Sequence, residues 1–166
     1  MEPSGAGGFY TLAELAMAFA GFTAIVVVLR QSAGKPLSQL HVLFTSVYVE
    51  LGLMASTFAM MAPVLALCRI PETLVWRISS ALMLAILVPW LCLFPFRRKR
   101  AAPEIRLPLR FFVSFSIGMM VVIALCLNMT GWLFDSGPGP LAIATIYVLA
   151  FASVLFLGNY YSYLRD

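Results

Sequence analysis

The chain has 166 residues, of which 62% are hydrophobic and 11% charged, with a formal net charge of +4. A water-soluble domain carries about 25% charged residues, and a small one keeps much of its surface wet, so this composition excludes a soluble globular protein. The basic residues stand beside long apolar runs, so membrane topology accounts for the positive charge and no nucleic-acid partner is expected.

The first residues, MEPSGAGG, are acidic and lack the basic region of a cleavable signal peptide. An apolar run over 12–29 gives the first span, since ~20 apolar residues cross a ~30 Å hydrocarbon core as a helix. Thr11 and Glu14 form a Thr-x-x-Glu capping box ahead of it, with Tyr10 and Leu15 at the staple positions. Ala16, Ala20 and Ala24 recur every fourth residue and offer a close-packing face. Gly34-Lys35-Pro36 separates this span from a second over 40–67. The second is over-long, and Pro63 predicts a bend where its outer end leaves the membrane. Gln39, Ser46, Glu50 and Thr57 lie on one stripe of it, and Gly52 and Ser56 are small residues one turn apart.

Arg69-Ile70-Pro71 leads into the third span, 74–96, which contains Pro89. Arg77 lies about one turn inside its start. There it snorkels to the headgroups or forms an outer ion pair with Glu14, whose depth matches. Arg97, Arg98, Lys99 and Arg100 follow as an inner loop able to contact anionic lipid headgroups. Pro103 and Pro108 precede the fourth span, 111–134, in which Ser114 and Gly118 form another small pair. Asn128-Met129-Thr130 is a glycosylation sequon placed inside the bilayer and therefore expected to be unmodified. Gly137-Pro138-Gly139-Pro140 stops this span, and the fifth covers 141–161, closed by an aromatic belt of Tyr160, Tyr161 and Tyr163.

The expectation is an all-α, polytopic transmembrane bundle of five spans, forming one transmembrane domain over 1–166 with no soluble domain. In a five-span alternation Arg30, Lys35, Arg97, Arg98, Lys99, Arg100, Arg106, Arg110 and Arg165 share one side, with Arg69, Arg77 and Asp135 on the other. The positive-inside rule then puts the N-terminus outside and the C-terminus in the cytoplasm, with a bacterial inner membrane as the expected location.

Chemistry is sparse. His41 is the one histidine, and Cys68, Cys92 and Cys126 form no C-x-x-C pair, so no metal site or cofactor is expected and the cysteines are read as apolar packing residues. No phosphate loop, metalloprotease motif or serine nucleophile elbow is present, which argues against an enzyme. Glu50 is the strongest candidate, because it lies ~12 Å inside the second span, too deep to snorkel. No basic residue is expected at its level. Ser46 sits one turn away, and Thr23 and Ser153 fall at the same depth in the first and fifth spans. Two functions follow. One is a proton or cation channel or transporter, formed as a homo-oligomer and using Glu50, Ser46, Thr23 and Ser153. The other is a non-enzymatic membrane scaffold or accessory subunit in which those groups form a structural polar seam.

Overall fold

In a computed structural model the described residues are 5–32, 39–101, 109–132 and 136–165. They form five helices: α1 (Ala6–Ser32), α2 (Gln39–Ala66), α3 (Glu72–Ala101), α4 (Leu109–Thr130) and α5 (Pro138–Arg165). Each is long and apolar enough to cross a membrane, and the chain is an all-α bundle of membrane-spanning helices. The separators at 34–36 and 102–108, Asp135, and the side chains of Arg30, Gln39, His41, Arg110, Tyr160, Tyr161, Tyr163 and Arg165 lie outside the described residues.

Helix α2 is central and packs against α1, α3 and α5, while α4 bridges α3 and α5. Successive helices run in opposite directions. The first turns of α1 and α3 meet through Phe9 and Trp76, ring centroids 5.7 Å apart. The C-terminal turns of α3 share the other end of the bundle with the start of α4, where Phe94 stacks on Phe111 at 5.7 Å.

The start of α1 and the end of α3 differ from expectation. Helix α1 starts at Ala6, ahead of Thr11, because burial of Ala6 and Phe9 holds the glycine-rich first turn against the bundle. Thr11 is therefore inside the helix, donating its hydroxyl to the Gly7 carbonyl at 3.2 Å, and does not cap it. Helix α2 continues through Pro63 to Ala66 and closes at Arg69, a non-glycine residue with φ of 57°. Helix α3 runs through Pro89 and Pro95 to Ala101, so the Arg97–Arg100 cluster is helical and not a loop. Its last turns are held by the contacts of Phe94, Arg97 and Arg98 with other helices. Gly131, at φ of 68°, ends α4 and donates its amide to the Leu127 carbonyl, the usual way a left-handed glycine satisfies a helix end. Pro138 then opens α5, where a missing amide proton costs nothing.

The small residues set the closest approaches. A Cβ at Gly52 would lie 3.0 Å from the Ala20 Cβ and 3.4 Å from the Ala16 carbonyl oxygen, so α1 and α2 meet with almost no intervening side chain. A Cβ at Gly118 would lie 2.5 Å from the Tyr147 hydroxyl, which reaches past the glycine to donate to the Ser114 carbonyl at 2.9 Å. Cys68, Cys92 and Cys126 are all free and exposed, on the bundle surface instead of in its core.

Candidate functional site

Glu50 lies on the flank of α2 that faces the end of α3. One guanidinium nitrogen of Arg97, Nη1, donates to Oε2 at 2.8 Å and the other, Nη2, to Oε1 at 2.8 Å. The Trp90 indole N–H adds a third donor to Oε2 at 3.3 Å. This is the two-pronged geometry in which a planar guanidinium matches a carboxylate. Trp90, Phe94 and Arg97 recur at i, i+4 and i+7 and share one face of α3. Trp90 stacks on Phe94 at 5.1 Å, and both rings meet Phe151 of α5 edge-on at 6.1 Å. That aromatic layer fixes the indole, and through it the carboxylate. The paired side chains are not sealed in: Arg97 and Glu50 retain 40% and 38% of their exposure.

The expectation that no basic residue reaches Glu50 is therefore overturned, and so are its proposed partners. Thr23 donates to Ala20 at 2.8 Å, Ser46 to Leu43 at 2.8 Å and Ser153 to Leu149 at 2.9 Å, each bond staying within its own helix. Thr57 does the same with Leu53. In the low dielectric of a bundle a helical hydroxyl finds its preceding-turn carbonyl at no extra ordering cost. Of Ser46, Glu50 and Thr57 in the stripe, Glu50 alone bonds to another helix; Ser46 and Thr57 bond within α2. Thr57 also joins Ser56, Met60, Met61, Val64 and Leu65 in lining a shallow groove of about 460 Å³ on the flank of α2.

The outer pair does not form either. Glu14 is exposed on α1, while Arg77 directs Nε to the Ser136 hydroxyl at 2.9 Å. Arg77 belongs to a second polar cluster, absent from the sequence reading. Asn128 is fully buried. Its amide donates to Ser80 Oγ at 2.9 Å and to the Gly137 carbonyl at 3.2 Å, and its Oδ1 accepts from the Gly137 amide at 3.0 Å. Ser136 closes the set by donating to the Asn128 carbonyl at 3.0 Å. The sequon asparagine is thus a clamp joining α3, α4 and the turn into α5. Of the four basic residues expected to face lipid headgroups, Arg97 is held by Glu50 and Arg98 is buried with its guanidinium 5.9 Å from the Phe111 ring centre. Lys99 and Arg100 remain exposed.

Sequence reasoning singled out Glu50 and missed Trp90, Arg97 and Asn128. The signal for the first two was the Trp90, Phe94, Arg97 spacing, provided the helix is carried past Phe96. Among the described residues no group of three His, Cys, Asp or Glu side chains is gathered as a metal site would need. No family model matches the chain, and neither the curated proteins nor the solved structures contain a match to it.

Proposed function

We propose that this chain is a non-enzymatic, multi-pass membrane scaffold or accessory subunit, in which Glu50, Arg97 and Trp90 lock α2 to α3. The observation that carries this reading is that both Glu50 oxygens accept from donors of one neighbouring helix. A carboxylate that relays protons or cations needs an oxygen open to its cargo; here a cargo would compete with the charge-assisted bonds that both oxygens already accept. The grouping of Arg97, Arg98, Lys99 and Arg100 at one end of the bundle supports a cytoplasmic position for that end, with the N-terminus outside. Lys99 and Arg100 are the residues best placed for anionic headgroups there.

A second reading is retained on one observation. The ion pair is about two-fifths exposed on the bundle flank, so a symmetric oligomer would bring several such pairs to one axis. Reconstituted liposomes with a pH-sensitive dye and imposed proton or cation gradients separate the two. The scaffold reading expects no flux from wild type, Glu50→Gln or Arg97→Gln protein. Flux that disappears in a well-folded Glu50→Gln variant would replace it with conduction.

A further inference from the structure

The outward face of α1 carries a group that the bundle does not use. Ala6, Phe9, Ala13, Ala16, Ala20 and Thr23 are buried against the other helices. Half a turn away, Gly7, Thr11, Glu14, Ala18, Gly21 and Ile25 form a second stripe, every member exposed. Nothing lies within 4 Å of where a Cβ would stand on Gly7 or Gly21. Glu14 lies in the middle of this stripe, ~12 Å along the helix from Ala6, and its carboxylate has no hydrogen bond or ion pair among the described residues. An ionisable side chain on the lipid side of a spanning helix is costly unless something meets it.

We infer that the Gly7–Gly21 face of α1 docks a transmembrane helix of another protein, one that presents a basic side chain to Glu14. The proposal rests on the scaffold reading and names the chemistry of what is scaffolded. Small residues let a second backbone approach closely, and the carboxylate selects what that backbone must carry. Charge complementarity also argues against a second copy of this chain. Two copies in one membrane share their orientation, so a two-fold axis through this face would set Glu14 opposite Glu14.

The test uses the full-length chain in phosphatidylcholine liposomes and a synthetic single-span Leu/Ala helix with a Gly-x-x-x-Gly face. Three versions carry Lys, Leu or Glu at the depth of Glu14, and binding is read by energy transfer. The Lys helix should bind ~10-fold more tightly than the Leu helix. Glu14→Lys should transfer the preference to the Glu helix, and Gly21→Leu should weaken binding of all three. Both positions are exposed, so circular dichroism should show unchanged helicity. Equal binding of the three helices would mean that Glu14 selects no basic partner and would overturn the proposal. Energy transfer between two labelled copies of the chain, abolished by Gly21→Leu, would overturn it in favour of self-association. Ion flux through the liposomes would sink the scaffold reading without altering the order of helix affinities, so the two failures are separable.

Discussion

Glu50 and Arg97 meet because side chains lean toward the N-terminus of their own helix. Helices α2 and α3 are antiparallel, so Glu50 leans toward the basic end and Arg97 leans away from it, into the bundle. Counting residues puts Glu50 about 12 Å from Val42 and Arg97 about 6 Å from Ala101, an offset that two converging side chains span. The pair is partly exposed, so its energetic value is modest. A double-mutant cycle of Glu50→Gln and Arg97→Gln should give a coupling of roughly 0.5–1.5 kcal/mol, between that of surface pairs and that of well-formed buried ones. Unfolding in mixed micelles measures it, and a coupling indistinguishable from zero would remove the pair from the account of stability. Asn128 should matter more. Asn128→Ala leaves the Gly137 amide and the Ser80 hydroxyl without their partner inside the bundle. The expected loss is about 2–3 kcal/mol, read in the same unfolding assay, and Asn128→Asp should not rescue it because a carboxylate cannot donate to Ser80 and Gly137.

Between elements, the α1–α2 contact is set by backbone proximity at Gly52. Gly52→Val should force the helices apart and cost roughly 1–3 kcal/mol, as over-packing of a filled interface does. Gly21→Ala on the free side of α1 should do the reverse. Nothing occupies the space its methyl group would enter, and alanine favours a helix over glycine by about 0.5–1 kcal/mol. Thermal unfolding followed by circular dichroism compares the two directly, and equal effects would contradict the close α1–α2 approach at Gly52. The alanine and glycine spacings that mark this contact were visible in the sequence. Their pairing was not, because a four-residue repeat of small residues identifies a face without naming the helix that will cover it. The same limit explains Gly118, whose small size serves the reach of Tyr147 from α5.

For the molecule as a whole, tag accessibility in spheroplasts should find an N-terminal tag exposed outside and a C-terminal tag protected. A protected N-terminal tag would reverse the orientation. The sequence by itself determined that the chain is a helical membrane bundle of five spans. Long apolar runs separated by prolines, glycines and charges permit no other backbone in lipid, since every amide must be satisfied within its own segment. It also determined that Glu50 was the carboxylate to follow, because depth along one helix is a matter of counting. The tertiary structure decided what meets Glu50, where α1 begins, and how the basic cluster is divided between bundle and surface. Those outcomes depend on which faces of different helices come into register. Hydropathy ended the third span at Phe96, where the charges begin. The folded chain continues it to Ala101 because Phe94 and Arg98 pack on Phe111 and Arg97 bonds Glu50. A composition window is blind to partners that are distant in sequence, and here those partners convert a basic run from loop to helix.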